Sequence, residues 1–101
     1  MKRKKVSVII VDYKSKLKVQ RLVKSLPHNS QVEIIIIDNS KVNRGFAKAC
    51  NLGAKQAQGE YLLFCNPDVI FLPSAFKLMF TKMESDSRIG IIGPQLLDTN
   101  R

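Results

Sequence analysis

Three apolar runs in this sequence end on residues that can bind an anionic ligand. Val6-Ser7-Val8-Ile9-Ile10-Val11 is followed by Asp12, Tyr13, Lys14 and Ser15. Val32-Glu33-Ile34-Ile35-Ile36-Ile37 is followed by Asp38, Asn39 and Ser40, and Tyr61-Leu62-Leu63-Phe64-Cys65 by Asn66, Pro67 and Asp68. Open α/β sheets bind ligands beyond the carboxyl ends of their strands. Aspartate and asparagine also end strands for local reasons, because both stabilise turns. Each Asp taken singly therefore reads as a turn residue, and three on one rim strengthen the functional reading. A rim carboxylate can hold Mg²⁺ or Mn²⁺, cations that favour carboxylate oxygen and substrate phosphates. Asp68 is the natural carboxylate for that work, although Asn66-Pro67-Asp68 also fits a plain strand-to-helix turn.

Other chemistries are excluded by what the chain lacks. It contains neither G-x-G-x-x-G nor G-x-x-x-x-G-K-[ST], which removes the dinucleotide fingerprint and the Walker loop. His28, the single histidine, follows Pro27 and has no evident partner for nucleophilic or acid–base work. Cys50 and Cys65 make neither a disulfide framework nor a metal site alone, and read as buried thiols of a reducing compartment.

The elements that must position these residues follow from the spacing of apolar positions. The near-continuous β-branched runs predict strands buried on both faces, as in parallel sheets. A shorter fourth run, Ile89-Gly90-Ile91-Ile92, predicts a further strand closed by Gly93-Pro94. Val19, Leu22, Val23 and Leu26 fall on one face of a helix that starts after Ser15 as N-cap and stops at Pro27. A second helix, roughly 45–58, presents Phe46, Ala49, Cys50, Gly53 and Ala57, with Gly59 as its C′ residue. The third begins at Pro73-Ser74 and shows Phe76, Met79, Phe80 and Met83. Phe46, Phe64, Phe76 and Phe80 are all expected on core faces. The alternation predicts a three-layer α/β fold, a mostly parallel sheet of about four strands with helices on both faces. A frayed basic tip, 1–5, precedes one ligand-binding domain, 6–101.

Lys plus Arg number 17 against 8 Asp plus Glu, a net charge of +9 in 101 residues. That balance favours anionic partners: nucleotide phosphates, nucleic acid or an anionic membrane face. The apolar runs fall far short of the roughly 18–20 residues that span a bilayer. Lys2-Arg3-Lys4-Lys5 before an apolar run looks superficially like a signal peptide, but the run contains Ser7 and stops at Asp12 without a cleavage site. The expected location is cytoplasmic, with peripheral association at the inner membrane face as the variant.

With these residues in place, the sequence resembles the family 2 inverting glycosyltransferases of GT-A fold, a Rossmann-like architecture. The resemblance is carried by the opening strand through Asp12-Tyr13-Lys14-Ser15, by Glu33–Ile37 with Asp38-Asn39-Ser40, by Asn43-Arg44-Gly45-Phe46-Ala47 through Asn51-Leu52-Gly53, and by Gly59–Cys65 entering Asn66-Pro67-Asp68-Val69. The Asn-Pro-Asp form is similar to that of a rhamnosyltransferase-like branch. The resemblance implies that Asp12 and Tyr13 line a nucleoside pocket and that Asp38 accepts a hydrogen bond from a pyrimidine. It implies that Asn39 and Ser40 shape the turn, that Arg44, Gly45 and Asn51 lie near the donor sugar and diphosphate, and that Asp68, assisted by Asn66, holds Mg²⁺ or Mn²⁺. The implied donor is dTDP-rhamnose or a UDP-sugar, and the implied acceptor a cell-surface polysaccharide or lipid.

Two departures from the family pattern shape the expectations. Only Lys41-Val42 separates Ser40 from Asn43, where the family usually has a helix and a strand, so the second strand is expected at a sheet edge. Family members also extend well beyond this length, and their general base, an Asp or Glu, is expected at a position beyond Arg101. Glu84, Asp86 and Asp98 follow the metal motif but lack the context of that base, so no catalytic residue is assigned within the chain. The chain alone is therefore expected to bind donor without transferring sugar. The alternatives are a non-catalytic remnant or a split-enzyme module, with a second copy or a partner chain at the open sheet edge. A small basic nucleic-acid-binding protein is the weaker alternative, since no RNP, KH or helix-turn-helix pattern is present.

Overall fold

A computed structural model of the chain describes residues 4–95 and residue 97. Met1–Arg3 of the expected tip, Asp98 and Arg101 lie outside the described residues. The expectation of a general base beyond Arg101 likewise falls outside them. The elements are β1 (Val6–Asp12), α1 (Lys16–Ser25), β2 (Val32–Asp38), α2 (Phe46–Gln56), β3 (Tyr61–Cys65) and α3 (Ala75–Ser85). They fall in two compact units, one ending at Ile70 and one beginning at Phe71.

The first unit is built on a parallel sheet of order β2-β1-β3. β1 is the central strand and all seven of its residues are buried, so its apolar run is explained by cover on both faces. The chain moves from β1 to β2 on one side and then returns past β1 to β3 on the other. Crossovers of one hand in opposite directions place their helices on opposite faces of the sheet. α2 lies over the face of Ile9, Val11 and Ile37, where Ala49, Cys50 and Gly53 allow a close approach. α1 packs against β1 through buried Val19 and Leu22. β2 and β3 are edge strands among the described residues, and each shows the cost: Ile36 on β2 is 48% exposed, Leu62 and Phe64 on β3 43% and 46%.

Several local expectations are corrected. Residues 89–92 form no strand. The run holds only three apolar residues around Gly90, Ile91 is almost fully exposed, and Pro94 has no N–H for a ladder. Ser15 occupies the N-cap position of α1 without a side-chain cap bond; its hydroxyl donates to the Tyr13 carbonyl instead. α2 ends at Gln56 with Ala57 as C-cap, so Gly59 is not its C′ residue. Phe46 and Phe64 are half-exposed, not core residues, because one opens a helix and the other sits on an edge strand. Lys4 and Lys5 are tied down: Lys5 N–H donates to the Gln31 carbonyl at 2.8 Å, Tyr61 N–H donates to the Lys5 carbonyl, and Lys4 Nζ reaches the Ser30 carbonyl. In the second unit α3 buries no residue fully, and Phe76 meets Phe71 edge-on at 6.2 Å.

Both cysteines are free and buried, as expected. Burial pushes the Cys65 thiol up to about 11 and raises Cys50 as well. A thiol, unlike a thiolate, is a poor nucleophile. Native protein at about pH 8 is therefore expected to resist iodoacetamide, and to take up label on both cysteines in denaturant. Rapid labelling of Cys65 under native conditions, read by mass spectrometry, would contradict this packing.

Candidate functional site

The in-phase register sets Asp12 level with Asp38, and places Asn66, Pro67 and Asp68 just past the end of β3 on the same rim. Adjacent strands lie about 4.8 Å apart, so the ends of β2 and β3 are separated by about 10 Å across β1. The order in which strands are added reverses between β1 and β3, and the helices diverge there to opposite faces. Such a switch point opens a crevice at the carboxyl ends of the strands.

Two loops on this rim are tied together. Asn39 N–H donates to the Asp12 carbonyl at 2.7 Å, and Lys14 N–H donates to Ser40 Oγ at 2.8 Å. Asp12 is buried, and its Oδ1 accepts the Ser15 N–H at 2.8 Å. Its side chain thus fixes the entry to α1, while Tyr13, 47% exposed, presents the adjoining ring at the rim. Lys14 takes a left-handed φ of 52°, and its ammonium lies 5.4 Å from the Tyr13 ring centre. That strained backbone in a non-glycine residue is tolerated because both neighbouring loops hold it.

Asp38 is exposed and accepts the Ser40 N–H on Oδ1 at 2.8 Å. That N–H, the Ser40 hydroxyl and the charges of Lys16 and Lys41 hold its carboxyl below the usual aspartate range. Asn39 is buried, at 2% exposure, and works as a clamp. Its Nδ2 donates to the Gly45 carbonyl at 3.3 Å, and its Oδ1 accepts Arg44 Nη1 at 2.9 Å. Arg44 Nη1 also reaches the Asp38 carbonyl at 3.2 Å. Gly45 has φ of 83°, a conformation that disfavours a side chain, and starts α2 with its N–H on Asn43 Oδ1 at 3.0 Å. Asp12, Tyr13, Asp38, Asn39, Ser40, Arg44 and Gly45 therefore form one connected rim. Asn51 lies apart, exposed on α2 and about 7.5 Å along its axis from Phe46.

Asn66 and Asp68 stand on the other side of β1. Asp68 is 62% exposed and pairs with Lys18 Nζ at 2.8 Å. Lys18 is a partner that the sequence reading missed; fifty residues separate the two, and no local pattern joins them. Asp68 and the Asn66 amide are oxygen donors suited to Mg²⁺ or Mn²⁺. Among the described residues no three His, Cys, Asp or Glu side chains gather to hold a metal ion. One carboxylate with phosphate oxygens and water completing the shell is an arrangement Mg²⁺ commonly adopts, so the residues present fit such an ion in the company of a diphosphate.

Neither α1 nor α2 carries an acidic residue in its first turn, and both begin on this rim. Their positive dipole ends and unsatisfied N–H groups favour an anionic ligand there. Asp86, by contrast, is engaged by its own Arg88 at 3.0 Å, which holds its carboxyl low and makes it a poor base.

Comparison with known proteins agrees with this geometry. The family model described as "Glycosyl transferase family 2" matches residues 2–98. A Haemophilus influenzae protein named "Uncharacterized glycosyltransferase" is 27% identical over 108 aligned positions. That alignment covers 85% of this chain and 37% of the relative, so the chain spans little more than a third of its relative's length.

Proposed function

The chain belongs to glycosyl transferase family 2, and from that premise we propose that its rim binds the nucleotide-sugar donor of a sugar transfer. The observation that carries this reading is the order β2-β1-β3, which puts Asp38 at the end of β2 and Asp68 just beyond the end of β3 on one rim, with the two strands about 10 Å apart across β1. That arrangement suits a pyrimidine at Asp38 and a diphosphate at Asp68. Tyr13 borders the nucleoside, while Arg44 and Gly45, fixed by Asn39, shape the loop at the start of α2. A divalent cation held by Asp68, with Asn66 as neutral partner, would neutralise charge on the departing diphosphate. The donor is dTDP-rhamnose or a UDP-sugar. The transfer, to a polysaccharide or lipid acceptor, proceeds with inversion. In this reading the 101 residues bind the donor, and a polypeptide segment other than Met1–Arg101 supplies the base that deprotonates the acceptor.

A second chain at the sheet edge is supported by one feature. Leu62 and Phe64 are two residues apart on β3 and are both half-exposed, an apolar strip beside an outer edge that no strand among the described residues pairs. Among the described residues no helix is long and apolar enough to cross a membrane.

Calorimetry with uridine and thymidine diphosphate tests the donor reading. Binding in the high micromolar to millimolar range, strengthened by Mn²⁺, is the expected result. Asp68→Ala should remove the metal dependence and leave thermal unfolding unchanged, since Asp68 is exposed. Equal binding with and without Mn²⁺ would return Asp68 to the role of a turn residue.

A further inference from the structure

We propose that the rim on either side of Asp38 is a docking surface for an anionic lipid bilayer. Four large apolar side chains face water there: Tyr13 in the loop after β1, Leu17 in the first turn of α1, Val42 in the loop after β2 and Phe46 at the start of α2. Leu17 is 74% and Val42 64% exposed, and Tyr13 and Phe46 are half-exposed. The two loops are joined by the Asn39 N–H on the Asp12 carbonyl and the Lys14 N–H on Ser40 Oγ, so these residues belong to one surface. Single exposed apolar residues need no explanation, whereas a group of them rimmed by polar residues marks an interaction site. α1 and α2 start on opposite faces of the sheet, which sets Leu17 and Phe46 on either side of its end. A flat partner meets both.

Charge selects the partner. Segments 12–18 and 38–48 hold six Lys and Arg against two carboxylates, Asp12 and Asp38. Asp12 is buried, and Lys18 is taken by Asp68. Lys14, Lys16, Lys41 and Lys48, all exposed, therefore interleave the apolar positions, with Asp38 the one exposed acid within these segments. An anionic bilayer answers both halves of this pattern. Its headgroups attract the ammonium groups, and its acyl boundary takes up the apolar side chains. The lysine stems lie along the apolar contact while their charged ends reach the headgroups. Nucleic acid answers only the charge, since bases stack on aromatic rings and Leu17 and Val42 offer none. On the donor reading, such docking also sets a lipid acceptor beside the donor; the docking itself stands without that reading.

The test is flotation of the 101-residue chain with vesicles of phosphatidylcholine alone or mixed equally with phosphatidylglycerol, at about 0.1 M salt. The chain is expected to bind the mixed vesicles at least roughly tenfold more tightly. Lys41→Gln with Lys48→Gln should weaken that binding about 25-fold, about five-fold for each lysine. Lys24→Gln with Lys55→Gln removes the same charge from the last turns of α1 and α2. That pair lies a Debye length of about 10 Å or more from the rim and should cost no more than about two-fold. Leu17→Gln with Val42→Ser keeps the charge and should weaken binding roughly tenfold or more, since each buried methylene is worth about four-fold. Both residues are exposed, so Tm should not move. A measurement without variants uses bicelles of the same lipids spin-labelled in the acyl chain. The amide signals of 13–18 and 41–48 should broaden before those of 24–30 and 53–60. Equal binding to both vesicles, equal damage from the two lysine pairs, or indifference to the Leu17 and Val42 changes would overturn the proposal. Tighter capture of a single-stranded RNA, unaffected by those two changes, would assign the rim to nucleic acid instead. Neither nucleotide nor metal enters these experiments, so their failure is separate from failure of the donor reading.

Discussion

Replacing Gly59 with alanine is expected to destabilise the protein by about 3 kcal/mol, the upper end of what overpacking costs, and to lower Tm by on the order of 10–20 °C. A Cβ at this position would stand 2.6 Å from the Ser7 backbone nitrogen, 2.7 Å from Ser7 Oγ and 2.8 Å from the Val6 carbonyl carbon. Two of those atoms are backbone of the central strand, which neighbours on both sides hold in place. The same move disturbs a polar network. Ser7 is fully buried; its hydroxyl accepts the Gly59 N–H at 2.8 Å and donates to Glu33 Oε2, which also accepts the Gln58 N–H. Burial pushes the Glu33 carboxyl up, but the Ser7 hydroxyl, the Gln58 N–H and the Lys4 charge together bring it below its usual value. Losing a partner here leaves a buried polar group unsatisfied, at about 1–3 kcal/mol.

Two other glycines serve as internal comparisons. At Gly53 the nearest atom to an added Cβ is the Ile9 Cγ2 at 2.5 Å, on a fully buried β-branched side chain that must shift, but no backbone atom is among the nearest neighbours and alanine recovers about 1 kcal/mol of helix propensity. Gly53→Ala should therefore cost less than Gly59→Ala. Gly90 has nothing within 4 Å and should tolerate alanine. Urea unfolding of the three variants gives the order directly. A Gly59→Ala protein within about 1 kcal/mol of the parent would mean that the close approach of this turn to β1 is wrong.

How much of this was legible in the sequence depends on the range of the interaction. β1 was legible because a strand covered on both faces writes a continuous apolar run; β2 and β3 were legible from similar runs, although Ile36, Leu62 and Phe64 stay half-exposed at the edges. The rim was legible because Asp38-Asn39-Ser40 and Asn66-Pro67-Asp68 follow those runs directly. Gly59 reads in sequence as a helix cap because its reason for being glycine is a strand fifty-two residues away. Lys18 carries no signal for the same cause, since its partner is fixed by the crossover and not by spacing along α1. The run at Ile89–Ile92 reads as a strand because composition alone does not say whether a short apolar segment finds an edge to pair with. Asp12 illustrates a finer limit. Its place on the rim followed from sequence, but its burial and its bond to the Ser15 N–H needed coordinates, and they give that carboxylate a scaffolding role beside Tyr13.

Asp38→Ala is expected to weaken uridine diphosphate by about 10- to 100-fold, the worth of a hydrogen bond to a charged group, and to leave adenosine diphosphate nearly unchanged. The two ligands share a ribose and a diphosphate, so their affinity ratio isolates the base. A uracil or thymine ring carries an N–H that a carboxylate can accept, and adenine has no such N–H on its ring in the neutral form. Asp38 is placed to use this difference. A carboxylate offers about four acceptor sites, and the Ser40 N–H occupies one of them on Oδ1. Ser40, Lys16 and Lys41 hold the group ionised below the usual aspartate value of 3.8. The uridine-to-adenosine ratio should therefore stay flat from about pH 7 to about pH 4.5, since Asp38 takes up no proton in that range. Asp38→Asn keeps an oxygen for the Ser40 N–H and so preserves the turn; it should retain part of the selectivity that alanine abolishes. If the alanine variant weakened both diphosphates equally, Asp38 would be holding the loop shared by Ser40, Lys14 and Arg44, and the base would be read elsewhere on the rim.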